Sequence, residues 1–114
     1  MPRPIYEVKA EFFKTLGHPA RIRVLEVLTD GPHSVSELQP HVGIESSHLS
    51  QQLAVLRRAG IVEAERQGSS MIYSVVDPQV FELLQVAKRI ITHSLAEAGE
   101  LLEDLNALDF RVGE

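Results

Sequence analysis

The feature that most constrains the fold of this chain is a short helix, a tight turn and a second helix in immediate succession. Residues 34–37, Ser-Val-Ser-Glu, have the capping-box pattern, which opens a helix that we expect to reach about residue 41. Residues 42–44, Val-Gly-Ile, predict a tight turn. The second helix then starts at residue 45 or 46 and ends at Ala59, because Gly60 suits the position that follows a helix. This order predicts a helix-turn-helix unit.

Two strand-like runs follow that unit directly. Residues 61–66 and 71–76 are rich in β-branched side chains, and residues 67–70, Gln-Gly-Ser-Ser, separate them. Glycine and serine between two such runs are typical of a hairpin loop. A β-hairpin that follows a helix-turn-helix is the order of elements in a winged helix-turn-helix.

Helices are also predicted on both sides of this region. Apolar residues recur at helical spacing over residues 5–16, and Pro19 suits the first position of a second helix that extends to about Thr29. Asp77 followed by Pro78 predicts the start of a last helix, which runs to about residue 108. We therefore predict a mainly α fold with a small β-hairpin: a single winged helix-turn-helix domain over residues 1–114.

The last predicted helix carries an apolar seam that favours pairing with another helix. From Leu84 to Leu108 its apolar and small residues alternate steps of three and four, the 3.5-residue period of paired helices. We interpret this seam as a homodimer interface shared with the first helix, over residues of about 4–16 and 78–108. Packing of the whole helix within one subunit is the alternative. The predicted interface residues are Ile5, Val8, Phe12, Leu84, Ala87, Ile91, Ala98, Leu101 and Leu105.

The second helix of the helix-turn-helix has a composition suited to reading DNA. Leu49, Leu53 and Leu56 are expected to face the core. The rest of the surface at its N-terminal end carries short or uncharged hydrogen-bonding groups, which pair with base edges and phosphates. A merely solvated helix face would be rich in Lys and Glu, and neither occurs between residues 46 and 56. This surface is formed by Ser46, Ser47, His48, Ser50, Gln51 and Gln52.

Arginines around this helix are candidates for phosphate contacts, where a positive charge releases counterions. Arg57 and Arg58 end the helix, Arg66 lies near the hairpin loop, and Arg21 and Arg23 lie on the second helix of the chain. Each of them alone fits a surface ion pair equally well. The complete predicted DNA-binding set is Ser46, Ser47, His48, Ser50, Gln51, Gln52, Arg57, Arg58, Arg66, Ser69 and Ser70.

The net charge of −5 initially opposes a nucleic-acid partner, but its distribution along the chain weakens the objection. Residues 1–93 carry ten basic and ten acidic residues, whereas residues 94–114 carry six acids and one arginine. The chain has no cysteine, which excludes disulfides, thiol nucleophiles and thiolate metal sites. No signal peptide and no membrane-length apolar run are present, so we expect a cytoplasmic protein without a membrane partner.

Two segments resemble the signatures of the ArsR/SmtB family. Residues 15–25, Thr-Leu-Gly-His-Pro-Ala-Arg-Ile-Arg-Val-Leu, are similar to the motif of its second helix. Residues 50–62, Ser-Gln-Gln-Leu-Ala-Val-Leu-Arg-Arg-Ala-Gly-Ile-Val, resemble its recognition helix, where the family usually carries His at one or both of the glutamine positions. Gly68 and Tyr73 match the wing, so the resemblance covers roughly residues 8–95.

This resemblance implies a dimeric repressor that binds an imperfect palindrome in double-stranded DNA and leaves it when a signal arrives. It also implies the positions of two family metal sites. Residues 34–36, Ser-Val-Ser, stand where a Cys-Val-Cys-like element supplies thiolates, and hydroxyls do not replace thiolates for soft metals. The positions matching the site on the last helix are Asp77, Gln79, Ile90 and His93, which do not make a tetrahedral set.

We therefore predict neither a metal nor another cofactor, although His93 and Glu97 leave a weak half-site on one helix face. Two other functions compete with this prediction. A winged helix can serve as a protein–protein interaction module without binding an operator, and the acidic charge would suit that role. An enzyme is not expected, because the chain shows no nucleophile elbow, glycine-rich phosphate loop or paired-carboxylate motif.

Overall fold

The elements of the chain follow the predicted order. A computed structural model describes residues 2–108, except for the side chains at position 102 and positions 104–108. The fold is mainly α with a small antiparallel sheet, which confirms the predicted winged helix-turn-helix class. The elements are α1 (Ile5–Leu16), α2 (Pro19–Val27), a 3₁₀ turn (Leu28–Asp30), β1 (His33–Ser34), α3 (Val35–Val42), α4 (Ser46–Arg58), β2 (Val62–Gln67), β3 (Ser70–Val75) and α5 (Gln79–Leu108).

The helix boundaries follow from local capping chemistry. The His18 side chain accepts a hydrogen bond from the Ala20 N–H, and Pro19 occupies the first turn of α2. At the end of α3, Gly43 has a φ of 78°, the left-handed conformation that favours glycine. Asp77 Oδ1 accepts a 2.9 Å hydrogen bond from the Gln79 N–H and thereby starts α5.

The sheet has three strands in the order β1-β3-β2, all antiparallel. The strand β1 was not predicted, and it pairs His33 with Tyr73 and Ser34 with Ile72. Gln67 pairs with Ser70, so the hairpin loop is shorter than the predicted residues 67–70. Gly68 takes the first of its two central positions with a φ of 62°, which a type II′ turn requires there.

The core lies where α2, α3 and α4 pack together with β2. Its fully buried side chains are mostly leucines, and the three leucines predicted to face inward from α4 are each 0% exposed. Burying a leucine stabilises the fold by about 1.5–3 kcal/mol. The largest fully buried side chains are Leu25, Leu38, Leu49, Leu53, Leu56, Val24 and Val62.

By its internal contacts the chain divides into two compact units, Met1–Phe81 and Glu82–Glu114. The first contains the helix-turn-helix and the sheet. In the second, α5 exposes large apolar side chains, including Ile91 at 57% and Leu101 at 61%. Leu84 and Ala87 are half-buried and Ala98 is exposed, whereas the side chain of the predicted interface residue Leu105 lies outside the described ones.

Candidate nucleic-acid interface

The exposed face of α4 begins at the α3–α4 turn, which Gln39 holds with two hydrogen bonds. The Gln39 amide donates a 3.2 Å hydrogen bond to the Ile44 carbonyl and accepts a 3.1 Å bond from the Ser46 hydroxyl. Both bonds hold the α3–α4 turn, so the first residues of α4 have a defined position. Five of the six polar residues predicted to read DNA are exposed at this end: Ser46, Ser47, His48, Ser50 and Gln51.

The sixth predicted residue, Gln52, is buried, so its expected place on the exposed surface was wrong. Its side chain is 8% exposed, and its Oε1 accepts a 2.7 Å hydrogen bond from Arg21 Nε. The physical reason is the helical angle, because Gln52 lies roughly 40° around α4 from the buried Leu56. Arg21, one of the predicted candidates for phosphate contacts, is itself half-buried in this contact.

The predicted backbone-contacting residues lie at the end of α4 and on the hairpin. Arg57 and Arg58 are the last residues of α4, and Arg66 pairs with Met71 next to the hairpin loop. All three arginines are exposed, and none forms an ion pair with the described part of the chain. Positive charges without acidic partners are available to phosphates without first breaking an ion pair.

A cleft of about 440 Å³ lies between α3, α4 and the hairpin, and hydroxyl groups dominate its lining. Ser34 and Ser36, which were not predicted as contact residues, line it, and their Oγ atoms are 3.1 Å apart. The signal for them was the capping box that opens the first helix of the helix-turn-helix. The serines that line the cleft are Ser34, Ser36, Ser46, Ser50, Ser69 and Ser70.

A small charged cluster supports the start of α3. His33 Nε2 lies 2.7 Å from Asp30 Oδ1, and His33 Nδ1 lies 3.5 Å from Glu37 Oε1. The hydrogen bond with Asp30 raises the pKa of His33 and lowers the pKa of the Asp30 carboxyl. The pKa of Glu37 is lowered chiefly by the hydrogen bond that the Ser34 backbone N–H donates to it. The cluster therefore favours a charged His33 between two carboxylates.

The described residues contain no candidate metal site. No three His, Asp or Glu side chains form a group there that could hold a metal ion. His93 Nε2 lies 3.0 Å from Glu97 Oε1, and both side chains are exposed on α5. The predicted half-site is thus a contact between two side chains one turn apart on one helix. Within residues 2–108, no helix combines the length and the apolar character that crossing a membrane requires.

Comparison with known proteins places this chain in a family. Residues 16–65 match a helix-turn-helix domain family. The HTH-type transcriptional regulator Rv0081 of Mycobacterium tuberculosis is 56% identical over 105 residues, which cover 91% of this chain and 92% of the relative. The crystal structure of Rv0081 superimposes with a TM-score of 0.77 at 55% identity, covering 85% of this chain and 98% of that one.

Two further solved structures share the fold. The transcriptional repressor BigR from Xylella fastidiosa has a TM-score of 0.66 at 36% identity, covering 79% of this chain and 96% of that one. A homodimeric winged helix-turn-helix DNA-binding domain, Mb0332 from Mycobacterium bovis, has a TM-score of 0.69 at 27% identity, covering 78% and 86%. With the matching motifs on α2 and α4, these relatives identify the chain as a member of the ArsR/SmtB family of winged helix-turn-helix transcriptional regulators.

Proposed function

We propose that this chain is a homodimeric transcriptional repressor that binds an imperfect palindromic operator and is released by a signal. The observation that carries the proposal is the N-terminal face of α4, where exposed uncharged hydrogen-bonding groups stand on a fully buried leucine stripe. Such a face can enter the major groove with its first residues. BigR, a structural neighbour that carries the same fold, is a transcriptional repressor.

In the proposed complex, Gln51 and the serines near it contact base edges. Arg57, Arg58 and Arg66 hold phosphates or the minor groove on either side of α4. The serine-lined cleft between α4 and the hairpin is the space where one DNA strand would pass from the major groove to the wing. Hydroxyls bind phosphate without adding charge, which suits a chain whose first 93 residues carry balanced charges.

Dimerisation is proposed through α5 together with α1. The exposed Ile91 and Leu101 lie on the seam with the 3.5-residue period, and Ile5 and Val8 are exposed on α1. Large exposed apolar patches mark association surfaces. The structural neighbour Mb0332 is homodimeric, which supports the same state here. A dimer would bring two copies of α4 to successive turns of one DNA face, about 34–36 Å apart.

The proposed role is non-catalytic and cytoplasmic, with DNA and a second copy of the chain as partners. The test is selection of bound duplexes from a random-sequence pool, followed by affinity measurements over a salt series. We expect two half-sites whose centres lie about 10–10.5 base pairs, or a multiple of this, apart. Affinity should fall steeply with salt, because the release of counterions from DNA becomes less favourable as the salt concentration rises. Absence of an enriched sequence and of a salt dependence would favour the protein-interaction alternative instead.

A further inference from the structure

A half-buried arginine joins three helices of the DNA-binding unit. Arg21, on α2, donates from Nε to Gln52 Oε1 on α4 at 2.7 Å and from Nη1 to the Thr15 carbonyl on α1 at 3.1 Å. Thr15 lies in the last turn of α1, where the helix leaves its carbonyl groups without helical partners. The planar guanidinium of Arg21 therefore donates one hydrogen bond to a carbonyl at the C-terminal end of α1 and another to a side chain in the middle of α4.

The chemistry of this contact fixes the orientation of the Gln52 amide. A guanidinium has only donors, so the atom facing Arg21 must be the amide oxygen, whichever way a side-chain amide is otherwise assigned. With its oxygen engaged, Gln52 cannot present the paired donor and acceptor that bidentate recognition of adenine needs. Gln51, which is exposed and makes no such bond among the described residues, keeps both groups.

Arg21 also differs from Arg23, the other arginine of α2. Within the described residues it forms no ion pair with a carboxylate, and both of its hydrogen-bond acceptors are neutral. Arg23, two residues later on α2, is exposed and contacts Glu26 and the His41 carbonyl instead. Hydrogen bonds to a charged donor are stronger than neutral ones, so the Arg21 contacts hold α4 firmly against α1 and α2.

We propose that Arg21 and Gln52 are positioning residues, which fix α4 relative to α1 so that the neighbouring Gln51 meets its base. The inference rests on the proposed operator recognition. It assigns to Arg21 a role other than phosphate binding and to Gln52 a role other than base reading. Since α1 is part of the proposed dimer interface, the same contact transmits the position of α1 to the helix that reads DNA.

The test compares selectivity, the ratio of affinities for a duplex selected by the wild-type chain and for random DNA. Arg21→Lys keeps the charge but loses the two-acceptor geometry of the guanidinium. We expect about a tenfold loss on the selected duplex, less than about a twofold change on random DNA and an unchanged salt slope. Gln52→Leu should have the same effect, and the double variant should lose no more than either single variant. Arg23→Lys is the matched control on α2 and should keep selectivity.

Gln52→Glu retains an oxygen acceptor for Arg21 and should keep the selectivity ratio. This variant keeps the test decisive even if Gln52→Leu does not fold. Equal losses on both duplexes with a lower salt slope for Arg21→Gln would assign Arg21 to phosphate and overturn the proposal. Additive losses in the double variant, or wild-type selectivity in Arg21→Lys, would overturn it too. Failure of the wild-type chain to select any duplex would instead contradict the proposed function itself.

Discussion

Ser34 and Glu37 satisfy each other's backbone N–H groups at the start of α3. Ser34 Oγ accepts a 3.2 Å hydrogen bond from the Glu37 N–H, and Glu37 Oε1 accepts a 2.9 Å bond from the Ser34 N–H. This reciprocal capping box starts the first helix of the helix-turn-helix. The same two residues connect α3 to β1 and to the His33 cluster, so the local chemistry of one turn supports the sheet and the helix together.

Ser34→Ala removes the hydroxyl that caps α3 and should destabilise the chain by about 1 kcal/mol. The free energy of unfolding, measured by urea denaturation, checks this value. Ser50→Ala, an exposed serine inside α4, is the control, and alanine there should be neutral or slightly stabilising. A loss of stability as large in Ser50→Ala as in Ser34→Ala would contradict the capping argument.

The stability of the chain should depend on pH through His33. Its folded pKa is raised by Asp30, so its contribution is complete below its ordinary value of 6.5 and is lost as the pH rises through the folded pKa. The folded pKa values of Asp30 and Glu37 are lowered, so their contributions are present above their ordinary values of 3.8 and 4.5 and are lost in acid. The cluster therefore stabilises the chain most between about pH 4.5 and 6.5.

Unfolding free energies of the wild type and of His33→Gln over this range and above it test the prediction. The stability advantage of the wild type should shrink as the pH rises past 6.5. Asp30→Asn should likewise reduce the stability that His33 contributes, because the hydrogen bond with Asp30 is the main cause of the raised pKa of His33. A wild-type advantage that grows with pH would reverse the predicted sign.

Ile91→Asp should convert the dimer into monomers. It places a carboxylate in the proposed α5 seam, and an uncompensated buried charge costs roughly 3–5 kcal/mol. Sedimentation velocity over a concentration series measures the effect. Ala96→Asp adds the same charge at another exposed position of α5, off the seam, and should leave the dimer intact. If Ile91→Asp sediments as the wild type does, the interface lies elsewhere.

The variants Gln51→Ala and Arg66→Ala should distinguish a residue that reads a base from a residue that holds the DNA without reading its sequence. Loss of a base contact at Gln51 costs about 1–3 kcal/mol on the selected operator and far less on random DNA. Arg66→Ala should weaken both complexes about equally and reduce the salt slope by about one unit. Titrations of both variants on both duplexes at several salt concentrations distinguish these patterns. Equal weakening of both complexes by Gln51→Ala would mean that α4 positions the chain without reading sequence.

The elements that the sequence predicts well are those determined by neighbouring residues. The capping box at Ser34 and the Asp77 cap of α5 each depend on groups within three positions, so their patterns can be read directly. The leucine stripe of α4 is equally local, because its period alone places it in the core. The order of the elements followed from these local patterns, and the family resemblance added the implied function.

The features that the sequence does not predict depend on distant partners. β1 has only two residues, and it is a strand because β3 lies beside it. Gln52 was predicted on the exposed surface because its residue type is polar. Its position three residues after Leu49 and four before Leu56 already indicated the edge of the buried stripe. What that position did not indicate was Arg21, the half-buried donor that accommodates a polar side chain there.

The pairing of β1 with β3 has a consequence for how the chain folds. His33 pairs with Tyr73, and α3, α4 and β2 lie between them in the chain, so the pairing closes a loop of roughly 40 residues. Capped helices and a tight hairpin form from local contacts on a much faster timescale. We therefore expect the base of the wing to form late in folding and its amide protons to exchange ahead of those in the leucine core. Partial opening would then loosen the wing while α4 keeps its shape.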